Sequence, residues 1–269
     1  QKQYPLQTIK DNISLLTHEV LDEINVITVK FGHSLIGKEA EELHGGCDSF
    51  VLKTDVHFPT DINLLFDAIR KIITMLAQIC GVLGLTEWRQ YDYNLKNIRK
   101  LFHAARNLKK SNSKKPEKIA EREEIIKESY GTYINVVESF LERAEVTIRF
   151  IREHGYGLEF AGKMILIEHY ISLARKQIDL IQRRVIEGEK IPHDEKIFSI
   201  FEEHTEWICK GKAGVSQELG LRVCILKDQF GFILHHQVME KVTDDKVAVP
   251  MTEEAKLKFK NLVGCSYDR

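Results

Sequence analysis

Apolar residues recur at steps of three or four along the first part of the chain, through Ile9, Ile13, Leu16, Val20 and Ile24. That spacing predicts one helical face over residues 7–31, closed by a turn at Gly46. Residues 49–52 then form a short apolar run that predicts a strand, and Pro59 ends the extended segment because its ring removes a backbone donor. Thr60 or Asp61 caps the next helix, whose apolar positions Leu64, Leu65, Ala68, Ile72 and Leu76 precede breaking glycines at 81 and 84. Three more helices are predicted, at about residues 86–110, 119–154 and 158–187, and Gly188 and Pro192 close the block.

After Pro192 the period changes. LGLRVCIL at 219–226 and FGFILHHQV at 230–238 are short, β-branched and aromatic-rich, with a turn-sized link at 227–229, and so predict a hairpin. His235 and His236 alternate between its two faces. A helix capped by Thr243 and a last strand at 262–267 follow, and Asp268 comes next. The order is α/β, or α+β with a large helical content: β-β-β-α-β once the helices between the first and second strands are set aside.

Composition changes this picture little. With 43% apolar and 29% charged residues over 269 positions, the chain can bury one large core or two smaller ones, and overall disorder is excluded. A formal net charge of −1 carries no argument about nucleic acid, so any such argument rests on local clustering. The five cysteines include no CxxC pair, which argues against zinc and for buried thiols in a reducing cytoplasm. Neither a secretory leader nor an apolar run of about 18 residues is found, so no membrane partner is expected.

One cluster does stand out. Lys96, Arg99, Lys100, His103, Arg106 and Lys110 recur at steps of three and four, with Leu95, Ile98, Phe102 and Ala105 on the other face. Lys114, Lys115 and Lys118 continue the positive run. Between Arg89 and Lys118, ten lysines and arginines face only Asp92 and Glu117. A solvated helix face explains such a stripe; so does contact with phosphates, which is salt-dependent and largely blind to sequence. Lys210 and Lys212 flank Gly211, where a bare backbone can approach a phosphate or simply make a turn. Trp88 and Trp207 read as packing anchors.

Two aspartates adjoin predicted strands, Asp48 at the first and Asp268 at the last. A carboxylate at a strand is an oxygen ligand at a fixed position, and two on neighbouring strands suit a hard divalent ion. Asp55 is the local alternative to Asp48. An aspartate beside a strand also serves simply as a turn or cap residue.

The stretch CDSFVLKTDVHFPTDINLL resembles the first catalytic segment of DDE transposases of bacterial insertion sequences, with Asp48 followed eleven residues later by Pro59-Thr60-Asp61. HTEWICKGKAGVSQELGLRVCIL, at 204–226, is similar to the family's Lys-Gly-Lys segment and second strand. Tyr267-Asp268-Arg269 is similar to its second-aspartate motif. The resemblance implies a partial RNase H-like core at 47–60 and 193–269, a helical leader at 1–46 and a helical insertion at 61–192. It implies Asp48 and Asp268 as catalytic metal ligands for two Mg²⁺ or Mn²⁺ ions. Transposon-end and target DNA would be partners through Lys96, Arg99, Lys100, Arg106, Lys110, Lys114, Lys115, Lys210 and Lys212. A homo-oligomer in the bacterial cytoplasm, at the nucleoid, is expected. The family's third acid would lie beyond Arg269, so both ends read as cut and strand transfer by this stretch alone is not expected. A DNA-binding or assembly subunit without catalysis, and a helical interaction protein, are the alternatives.

Overall fold

A computed structural model describes residues 4–209, 217–240 and 242–267, with seven helices and a mixed five-stranded sheet among them. The chain divides into two compact units, Gln1–Thr54 with His204–Arg269, and Asp55–Glu203.

The first unit holds the sheet. Helices α1 (Leu6–Ile13) and α2 (His18–Ile36) lead into β1 (Leu43–Lys53), and β2 (Glu206–Cys209), β3 (Gln217–Asp228), β4 (Ile233–Met239), α7 (Asp244–Lys258) and β5 (Leu262–Tyr267) complete it. The single leader helix expected from periodicity is instead two. Residues 14–17 interrupt it, and Thr17 restarts it by accepting a hydrogen bond from the Val20 N–H.

β3 is the organising strand. One edge pairs antiparallel with β1, from Gly45 opposite Asp228 to Lys53 opposite Gly220. Its other edge carries β2 near the start and β4 further along, both antiparallel. β5 lies outside β1 and runs parallel to it. A parallel neighbour requires a crossover, and within this unit α7 precedes β5.

Two strand expectations need correction. β1 begins at Leu43, not Ser49, and Gly46 lies inside it rather than in a turn. At Gly45 an added Cβ would come within 3.1 Å of Leu226, so the bare backbone serves close packing between strands. β2 was not foreseen, since its four residues fall below any readable periodicity. Gly220, paired on both sides, also lacks room: a Cβ there would run into the Leu52 carbonyl.

The odd-numbered face of β1 is the core face. Leu43 and Cys47 pack with Leu226, Leu234, Met251 and Phe259 from β3, β4 and α7 and the strand approach. His235 also points inward, next to Glu254 and Lys258, while His236 is exposed, so the two alternate as the pattern predicts. Burial, aided by Lys258, holds the His235 imidazole below its ordinary pKa.

The second unit contains α3 (Asp61–Val82), α4 (Tyr91–Asn107), α5 (Pro116–Glu153) and α6 (Ala161–Ile181), followed by a π-helical turn at Gln182–Ile186. α3 is central and packs on all three others. α5 starts earlier than periodicity suggests because Pro116 suits a first helical position, where no N–H is needed. Trp88 is fully buried, donates from Nε1 to Thr147 at 3.0 Å and lies under the Arg143 guanidinium. It adopts a φ of 66°, a conformation that costs a non-glycine residue roughly 1–3 kcal/mol and is held here by that surrounding contact. Among the described residues no helix is long and apolar enough to cross a membrane.

Candidate functional site

Asp48 sits in the middle of β1, the strand flanked on both sides, so its backbone is fixed by β3 at Ile225. Alternation places its side chain on the even-numbered face, opposite the core, where it is exposed. It forms no ion pair with any described residue. The neighbouring Cys47 points the other way and is buried, its Sγ 3.6 Å from Cys265. Burial, reinforced by Cys265, pushes its thiol pKa well above the ordinary range. Cys224 joins this inner group through Tyr267, whose hydroxyl lies 3.7 Å from its Sγ.

The parallel ladder of β1 and β5 runs from Leu43 opposite Leu262, through a register shift, to Cys47 opposite Tyr267. Each of these last partners immediately precedes one of the two aspartates. Asp268 itself, like Lys210 and Lys212, lies outside the described residues. Among the described residues no cluster of three or more His, Cys, Asp or Glu side chains could hold a metal ion. Asp48 is thus the single described member of the expected ligand pair.

Asp55 is not on the strand. β1 ends at Lys53, and residues 54–60 form an extended link without regular structure, so strand alternation does not position it. The Pro59-Thr60-Asp61 turn has a local task. The Thr60 hydroxyl accepts the Asn63 N–H at 3.3 Å, and the Asn63 side chain donates to the Phe58 carbonyl. Asp61 pairs with Arg184 of the π-helical turn at 2.8 Å. Burial raises the Asp61 pKa, and Arg184 and Lys196 oppose that rise.

The basic stripe occupies the outer face of α4 and the segment after it. Ile98, Phe102 and Ala105 are buried on the inner face, while Lys96, Arg99, Lys100 and Arg106 are exposed. Arg99 lies over the Phe66 ring and Arg106 over Phe102, at 5.8 and 5.5 Å, so two guanidinium groups are held near the helix surface. Lys110, Lys114 and Lys115 continue the run beyond the helix and are also exposed. A hydrogen bond from Arg122 to the Lys109 carbonyl ties that segment to α5.

None of these seven cations forms an ion pair with a described residue. Three arginines on α5, α6 and the π-helical turn behave differently: Arg152 pairs with Glu168, Arg175 with Glu145, and Arg183 with Asp179, Glu189 and Glu195. The structure therefore separates two kinds of surface that look alike in composition.

Sequence reasoning missed Asp228. Its side chain is fully buried in the β3–β4 turn, where Oδ1 accepts the N–H groups of Phe230 and Phe232 and Oδ2 lies 2.6 Å from His33 Nε2. Asp followed three residues later by Gly231, which has a φ of 87°, is a readable turn signal. No family model, curated protein or solved structure matches this chain.

Proposed function

We propose that the chain carries the first half of an RNase H-like catalytic core of a DDE-type transposase, with a helical DNA-binding insertion. The observation that carries this reading is the strand order β4-β3-β1-β5, antiparallel through the first three and parallel at the last pair. That arrangement sets Cys47 beside Tyr267, one residue before each aspartate. In this reading Asp48 and Asp268 are the metal ligands.

The donor chemistry fits a hard ion. Asp48 offers an exposed carboxylate with no ion pair among the described residues, and the nearby thiol of Cys47 is turned into the core and held protonated by burial. Mg²⁺ or Mn²⁺, when bound, would supply activation of water or a 3′-hydroxyl and stabilisation of the leaving oxygen of a phosphodiester. The chain's own part is positional. β1, fixed by neighbours on both edges, restricts where the Asp48 oxygens can lie, and the basic face of α4 holds DNA by its phosphates.

Metal binding, rather than turnover, is the suitable readout, because the family resemblance assigns a third acid to a later helix. Replacing Asp48 or Asp268 by Asn should weaken Mn²⁺ binding, followed by water-proton relaxation, by roughly tenfold or more, as expected for loss of one of few anionic ligands. Asp55→Asn should leave it unchanged. Equal Mn²⁺ affinity in all three variants would remove the catalytic reading. Retained DNA binding would then leave an assembly or DNA-binding subunit.

A further inference from the structure

α2 is apolar on two opposite faces. The inner one packs into the sheet unit through Val26, Val29 and Ile36, and Gly32 approaches Phe232 so closely that a Cβ would enter its ring. Asn25 donates to the Ile233 carbonyl and Asp22 accepts from Lys258 on the same side. These contacts fix the rotation of the helix. As a result Val20, Ile24, Ile27, Phe31 and Leu35 face solvent, with Ile27 67% and Leu35 73% exposed.

A surface helix that served only this chain would carry charge there. Instead Val20, Ile24, Ile27 and Phe31 repeat at steps of four, three and four, the spacing of a helix-on-helix seam. α1 likewise has no buried residue, and its Leu6, Ile9 and Ile13 share a face. Eleven large apolar side chains between Leu6 and Leu35 are more than a third exposed.

We propose that this face binds a second copy of the chain, α2 packing antiparallel on its counterpart across a two-fold axis at Ile27. Charge selects both the occupant and the direction. Glu23 and Lys30 flank the seam on one side, both exposed and without an ion pair among the described residues. Reversal about Ile27 brings Glu23 of each copy within one residue's rise of Lys30 of the other on the same side of the seam, and likewise Ile24 of Phe31 and Val20 of Leu35. A parallel pairing would set Glu23 against Thr28 and Lys30 against Leu35, with no charge partner. The acids Asp11, Glu19, Asp22 and Glu23 outnumber Lys10 and Lys30, so an anionic membrane surface is disfavoured. The contact is self-complementary, as a two-fold interface must be, and it does not depend on the transposase reading.

Sedimentation equilibrium of the chain tests it. The expected mass is twice 31.1 kDa at micromolar concentration. Ile27→Glu, at an exposed position where folding is unaffected, should raise the dissociation constant about a hundredfold by placing two like charges at the axis, with helicity unchanged. Glu23→Lys should weaken the dimer several-fold at low salt, and Glu23→Lys with Lys30→Glu should restore it. A monomer at about 100 μM, a dimer that survives Ile27→Glu, or a double swap no better than the single one would each overturn the proposal.

Discussion

Replacing Asp228 with Ala should destabilise the sheet unit by about 3–5 kcal/mol, the usual cost of removing one partner from a buried, hydrogen-bonded pair. Three groups lose their partner together. The Phe230 and Phe232 N–H groups are each held at 2.9 Å by Oδ1, and His33 at 2.6 Å by Oδ2. His33 is packed among the rings of Phe230, Phe232 and Phe259, so water cannot readily replace the carboxylate. This carboxylate ties the β3–β4 turn to α2, beside the ring contacts of His33 and the close approach of Gly32 to Phe232. Denaturant unfolding should show a lowered midpoint, and hydrogen exchange at the Phe230 and Phe232 amides should accelerate before global unfolding. Asp228→Asn should cost less, because its remaining oxygen can still accept one or both amides. An unchanged midpoint in Asp228→Ala would mean that the turn is held by its backbone alone, through the Asp228 N–H to Phe232 carbonyl bond.

The second large effect concerns DNA. Replacing Lys96, Arg99, Lys100 and Arg106 together by Gln should lower duplex affinity by roughly 10²–10³ at about 0.1 M salt. It should also reduce the slope of log K against log salt by about 3–4, if each cation neutralises one phosphate. The loss should be nearly independent of DNA sequence, since phosphate contacts position without specifying. A paired control is available on α5 and α6: replacing Arg152 and Arg175, already engaged with Glu168 and Glu145, should leave the slope unchanged. Equal salt slopes for the quadruple variant and the parent would return the stripe to an ordinary solvated face.

Much of the architecture could be read from residue spacing. The hairpin at 219–238, α7 and the strand before Asp268 follow from period and turn chemistry, and α3 from its cap and breaking glycines. The losses have local causes. Gly45 and Gly46 look like a turn, because close strand packing and chain reversal both require a missing Cβ and the sequence does not distinguish them. β2 is too short to show alternation and is held in place by β3. The interruption at residues 14–17 lies within a continuous apolar period, and Thr17 alone signals the restart.

For the candidate site, the outer face of α4 was legible because exposure follows directly from period, whereas Asp48, read at the opening of a strand over 49–52, lies inside β1. What the sequence left open was which cations are neutralised. Ion pairing depends on which helices lie together, so Arg152 and Lys100 cannot be told apart until α5 and α6 are packed. The second apolar face of α2 was hidden for a related reason. A strongly apolar helix reads as core, and only the placement of Asn25, Gly32 and Val29 against the sheet shows which face remains outside.

Whether Asp48 and Asp268 share one metal ion is decided by a crystal structure grown with Mn²⁺. An anomalous peak is expected, bridged by carboxylate oxygens of both residues and about 2 Å from each, beside the middle of β1 and just past the end of β5. Peaks confined to other side chains, with the Asp48 and Asp268 carboxylates on opposite faces of the sheet, would contradict it.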